Sequence, residues 1–177
     1  GKGGVAYVLD REHGFDLPKS MHPQVGKFVY DKADAAGREL SNQEIGSLFL
    51  GQFVNIEAPM SLDKFELDHT AMGTGTVVCH ATVKMGEETV QGTGKGNGPI
   101  NAFVHMLEGS GRKDFTVTDY RSQALRGGSD ADSAAYVQVQ HLETGRLLWG
   151  CGVDPSIEMA GLKALICAWN LLRESAV

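Results

Sequence analysis

The spacing of apolar residues changes character along this chain, and the change divides it. After Pro23, the residues Val25, Phe28, Val29 and Ala33 recur at helical spacing, with Pro23 suited to a first turn and Gly37 to a stop. A second helix is predicted after Ser41, which with Glu44 forms a capping-box pattern ahead of Ile45, Leu48, Phe49 and Val54. The opening "GKGGVAYVL" reads as a strand or as the end of a preceding element, and "DREHGFDLPKS" as a turn-rich connection. Residues 20–54 are thus expected to form a small helical unit, with "NIEAPMS" as its linker. A unit of this size need not dock firmly on the larger part of the chain.

Beyond residue 60 the period shortens to that of strands. "LDKFELDHT", "GTVVCHATVKM" and "ETVQGTG" read as three strands, the last two joined across a turn near Gly86. A helix from Pro99 to about Glu108 then carries Ile100, Phe103, Val104 and Leu107 on one stripe. The order begins again with "DFTVTDYRSQAL", "SAAYVQVQHL" and "RLLWGCGV", followed by a helix from Pro155 bearing Ile157, Ala160, Ala164, Leu165 and Ala168. This is an internal repeat of about fifty-five residues. Gly92-x-Gly94 corresponds to Gly150-x-Gly152, and Ile100 and Ala102 correspond, after a one-residue gap, to Ile157 and to Met159 or Ala160. The fold class is α+β: a helical subdomain over 1–56, then a domain over 57–177 of two pseudo-symmetric βββα units at about 61–109 and 114–172. Three strands and one helix cannot cover both faces of a sheet, so the units must pack together or against another subunit.

Charge and cysteine usage narrow the function classes. Lys plus Arg number 16 against 22 Asp plus Glu, a net charge of -6, which provides no basic field for nucleic acid or an anionic membrane. Cys79, Cys151 and Cys167 are odd in number and set in apolar surroundings, as expected of reduced core residues in a cytoplasmic protein. No stretch approaches the length of a membrane span. The first residue is Gly, and the abrupt opening reads like the middle of a longer chain.

"GTGKGNGPINAF", Gly92 to Phe103, is the densest chemical signal. It lacks the G-x-x-x-x-G-K-[ST] of a Walker loop. A G-x-G-x-x-G count from Gly92 meets Asn97 where a glycine is required, and a count from Gly94 meets Pro99. Two readings stay open. The glycines permit close approach and positive φ in a plain turn before a helix. Alternatively, the helix start offers unpaired backbone N–H groups to a single carboxylate. Asp154 before Pro155 can cap the second helix with its own side chain, which leaves the first helix end, at Gly98, as the better anion site.

The stretch Gly94 to Phe103 resembles the signature of the C-terminal regulatory domain of the 2-isopropylmalate synthase family. Tyr120, the "GGSDA" of Gly127 to Ala131, Gly150-x-Gly152 and the "PSI" of Pro155 to Ile157 come in the same order, and the opening resembles the family's connecting subdomain. The resemblance implies a chain lacking the (β/α)₈ catalytic barrel, together with the divalent metal and catalytic residues held there. It implies no cofactor in this region, a homodimer, and feedback inhibition by leucine bound near the interface. Carried over residue by residue, the effector loop is Gly96, Asn97 and Gly98, and the side-chain pocket is Ile100, Val117, Tyr120, Ala124 and Ala131, completed by Ser133 where the family commonly has alanine. The related citramalate synthases carry a similar domain that senses isoleucine, an alternative that differs by the place of one methyl group.

Other titratable residues form no set. His13 and His22, with Glu12 and Asp16, lack the close spacing of ligands on one element, and Cys79 and His80 point to opposite faces of a strand. His105 is expected on a solvent or interface side. A small independent enzyme would have to draw on Glu158, Asp130 and His80, and a purely structural dimerisation module would need none of them.

Overall fold

A computed structural model describes residues 2–68, 75–125 and 132–175. The chain begins with α1 (Lys2–His13), α2 (His22–Ala36) and α3 (Asn42–Phe53), with a short 3-10 turn at Lys19–Met21. The first of these corrects the sequence expectation of a strand or a preceding element's end. Ala6 and Leu9 are buried, with Val5 and Val8 packed beside them, so burial against α2 and α3 overrides the poor helix propensity of Gly3 and Gly4. Helix α2 ends at Gly37 in a left-handed conformation, and α3 starts with both bonds of the capping box, Glu44 N donating to Ser41 Oγ and Ser41 N to the Glu44 carboxylate.

Two antiparallel meanders come next. The first is β1 (Met60–Asp68), β2 (Val77–Met85) and β3 (Glu88–Gly96), closed by α4 (Pro99–Gly109). The second is β4 (Phe115–Ala124), β5 (Ser133–His141) and β6 (Leu147–Asp154), closed by α5 (Ile157–Ser175). Both first strands carry a register shift at the same depth, between Leu62 and Lys64 and between Val117 and Asp119. Helix α4 lies on β3 and β2, α5 lies on β6 and β5, and the two helices meet in one core with both sheets.

The glycines of β3 and β6 set how closely each helix lies on its strand. A Cβ at Gly94 would sit 2.0 Å from Ala102 O, and one at Gly152 would sit 2.1 Å from Ala160 O. Gly94 and Ala102 are thus equivalent to Gly152 and Ala160 with no gap between them, so Ile100 corresponds to Glu158 and Gly98 to Ser156. This corrects the gapped alignment. The two units differ in length instead between their second and third strands, where the β2–β3 turn is tighter than the β5–β6 loop. Two further expectations change with it. Helix α5 begins at Ile157, not Pro155, and Ile157 is 51% exposed because it precedes the stripe that faces the core. None of Gly92, Gly94, Gly96 and Gly98 has positive φ, so this stretch serves close packing and not a left-handed turn.

The helical segment shares a core with the second sheet: Leu9, Phe49 and Phe53 pack with Tyr136, Trp149 and Cys151. Three side-chain amides fix the junction. Gln24 pairs with both backbone groups of Trp149 at 2.9 Å, Asn55 pairs with both of Val153 at 3.2 and 2.9 Å, and Gln123 reaches back to Gly14 and Asp16. The looseness expected of this unit is therefore absent. The corresponding face of the first sheet carries Lys64, Glu66, His80 and Thr93 instead, and among the described residues no helix lies on it. Cys151 and Cys167 are buried free thiols, and burial pushes the Cys167 thiol up to about 11. Among the described residues no helix is long and apolar enough to cross a membrane.

Candidate effector site

Helix α4 starts at an unusual N-cap. Gly98 has an extended backbone, offers no side chain to the first turn, and is followed by Pro99. Its counterpart in the second unit is occupied: Ser156 Oγ accepts from Met159 N at 3.3 Å, and Asp154 accepts from Ser156 N at 2.8 Å and from Lys163 Nζ at 2.7 Å. The cap of α5 is thus Ser156, with Asp154 supporting it, a correction to the direct Asp154 cap expected from sequence. Burial alone would raise the Asp154 pKa, but the bonds from Lys163 and Ser156 outweigh it and the carboxyl titrates below its ordinary value. Where the second unit has Asp154 and Ser156, the first has Gly96 and Gly98.

A cavity of about 700 Å³ opens at the first helix start, between α4 and β4. Asn97, Gly98, Ile100, Val117 and Tyr120 line it, so five of the expected site residues converge. A Cβ at Gly161 of α5 would lie 3.0 Å from Ile100 Cδ1 and 3.3 Å from Tyr120 Cε2, which places these three residues together as one apolar wall. Gly96 lies beneath the first turn, against Asn101 Oδ1 and Ala102 N. Ala124 and Ser133 pair with each other at the far end of β4 and β5; they share the sheet face of Tyr120 but do not line the cavity. Ala131 lies outside the described residues, as does Asp130.

The lining also holds residues that sequence reasoning did not assign to the pocket: Asn101, His105 and Glu108 on α4, Ser122 on β4, and Ile157 and Glu158 at the start of α5. For those on α4 and β4 the spacing held the signal. Asn97, Asn101, Val104, His105 and Glu108 follow the i, i+4, i+7 spacing of one helix face, and Ser122 lies two residues beyond Tyr120 on a strand. His105 is exposed and its Nδ1 donates to Lys95 O. Asn97 N donates to Asn101 Oδ1 at 3.0 Å, an internal bond that orders the loop. Among the described residues the lining includes two carboxylates, Glu108 and Glu158, and neither lysine nor arginine. Its positive pole is the backbone at the helix start.

Elsewhere the chemistry is structural. His13 Nε2 donates to Asn42 O at 2.9 Å and His22 Nε2 to Leu17 O at 3.1 Å. Among the described residues no cluster of His, Cys, Asp and Glu could hold a metal ion. His80 bonds Thr93 Oγ1 on the open face of the first sheet and does not line the cavity that holds Glu158.

Residues 39–173 match the family described as the LeuA allosteric (dimerisation) domain. The chain belongs to that family. It is 38% identical over 176 residues to the 2-isopropylmalate synthase of Kineococcus radiotolerans, 37% over 175 residues to that of Thermobifida fusca, and 35% over 173 residues to that of Mycobacterium ulcerans. These matches cover 96%, 99% and 96% of this chain and 30% of each relative, so this LeuA-type region spans under a third of their length. Membership supports self-association.

Proposed function

We propose that this region is the leucine-sensing part of a 2-isopropylmalate synthase, imposing end-product feedback inhibition on a catalytic barrel elsewhere in the full-length chain. In this proposal residues 57–177 form the regulatory domain, residues 1–56 join it to the barrel, and the setting is cytoplasmic. The observation that carries it is the contrast between equivalent helix starts. Ser156 and Asp154 satisfy α5 from within, whereas α4 begins at a glycine that faces a cavity.

The cavity's chemistry fits a free branched-chain amino acid. Backbone N–H groups near Asn97 and Gly98 suit its carboxylate, Glu158 or Glu108 suits its ammonium, and Ile100, Val117 and Tyr120 suit its side chain. A 2-oxo acid has the same carboxylate and side chain but no ammonium, and it would face those carboxylates without compensation. Calorimetric titration with leucine, isoleucine, valine and 4-methyl-2-oxopentanoate tests this. Leucine should bind at least tenfold more tightly than the oxo acid, a difference of about 1.4 kcal/mol. Equal binding of the two would remove the ammonium from the recognition, and preference for isoleucine would make this a citramalate-type sensor.

A further inference from the structure

Gln123 interrupts the pocket strand and faces the other way. Tyr120 and Ser122 of β4 line the cavity, while Gln123, between Ser122 and Ala124, reaches the opposite side of the sheet, where Tyr136 packs with the helical segment. Its amide oxygen accepts from Asp16 N at 2.9 Å and from the Tyr136 hydroxyl. Its amide nitrogen donates to Gly14 O at 3.0 Å and to Ala124 O at 3.3 Å. Both acceptor sites and both donors of the carboxamide are therefore used. The two backbone partners fix which way the amide points, since Asp16 N can only donate and Gly14 O can only accept.

We infer that Gln123 is a positioning residue through which occupancy of the cavity sets the placement of the Gly14–Asp16 turn. The inference rests on the cavity being the effector site. Strand β4 is an edge strand, paired among the described strands with β5 alone and already interrupted by the register shift after Val117. A ligand wedged between α4 and β4 presses on Tyr120 and Ser122, and an edge strand can yield by breaking step with one neighbour. The next residue along carries that displacement across the sheet, because Gln123 grips the backbone at the end of α1 at two points. Tyr136, 1% exposed and fixed in the core, is the stationary partner against which the amide moves. The output is thereby delivered to one turn of the helical segment and not to its whole surface.

Hydrogen exchange on the 177-residue chain, with and without saturating leucine, tests the inference alongside calorimetry. In the unaltered chain leucine should change exchange at amides 14–17 by roughly threefold or more, with no comparable change inside α3, to which the Gln123 amide makes no hydrogen bond. Gln123→Ala and Gln123→Glu should bind leucine within about threefold of the unaltered chain and lose the response at 14–17. Gln123→Glu retains the acceptor for Asp16 N and removes the donor to Gly14 O, so it serves if the alanine variant does not fold. Leucine binding without a response at 14–17 in the unaltered chain would overturn this inference alone, as would a variant that binds and still responds. Absence of leucine binding to the unaltered chain would overturn it together with the effector reading.

Discussion

At Gly98 the geometry separates binding from folding. Its backbone φ of -173° is open to any residue, and a Cβ there would meet nothing within 4 Å. Gly98→Val should therefore fold, at a cost of about 1 kcal/mol in cap preference. Its side chain would project from the N-cap where the ligand carboxylate is proposed to sit, and leucine affinity should fall by more than about tenfold, or 1.4 kcal/mol. Calorimetry and thermal melting on the same variant separate the two effects; undiminished affinity would place the carboxylate elsewhere. Tyr120→Ala opens the apolar wall beside Ile100 and Gly161. Losing roughly 60 Å² of cover from the ligand should weaken leucine by about 1.5 kcal/mol, with little change in melting because the ring is already 40% exposed.

The glycines of β3 make graded predictions at the level of the element. Gly94 faces backbone, with Ala102 O at 2.0 Å and Met106 N at 2.6 Å from a built Cβ, so α4 would have to lift from the strand. Gly92 faces the flexible Met106 side chain, with Cγ at 2.9 Å, which can turn aside. Gly94→Ala should cost about 1–3 kcal/mol in urea unfolding and Gly92→Ala well under that. Equal costs would mean that α4 does not rest on this strand as described. Here lies the limit of sequence legibility. The element order, the two G-x-G strands and the capping box at Ser41 are dictated by periodicity and local chemistry, and the chain forms all three. Helix α1 is not, because Gly3 and Gly4 conceal a helix that only its burial stabilises. In the pocket, Gly98 is legible from local chemistry, whereas Asn97, Ile100, Val117 and Tyr120 enter as site residues through the family resemblance. Val117, Tyr120, Ile157 and Glu158 meet the first unit's helix from the second unit, a juxtaposition that no local pattern encodes.

For the molecule as a whole, one ion pair ties the two ends of the second unit together. Arg173, near the end of α5, donates to Asp114 at 2.6 and 2.5 Å just before β4, and His141 lies 3.4 Å away. The Asp114 carboxyl is held below its ordinary range, chiefly by the Arg173 hydrogen bonds, with burial opposing and the Arg173 and His141 charges assisting. An unfolded aspartate titrates near about 3.9. Because the native value is the lower one, the pair's contribution is complete above the unfolded value and is lost as pH falls through the native one. The stability difference between the unaltered chain and Asp114→Asn should then be smaller at about pH 3 than at about pH 7. Urea unfolding at about pH 7 and about pH 3 measures it; a difference that grows with acid would reverse the assignment.

The replacement of Gly96 and Gly98 by Asp154 and Ser156 gives the two halves of a duplicated unit different occupations. As proposed, one half became a sensor with an unfinished helix start, and the other became an anchor whose helix start is complete and whose outer face receives the connecting helices. Equivalent positions have accordingly ceased to be equivalent under mutation: filling Gly98 should leave a folded protein deaf to its signal, whereas loss of the Ser156 and Asp154 bonds should loosen the start of α5, where Ile157 and Glu158 line the same cavity.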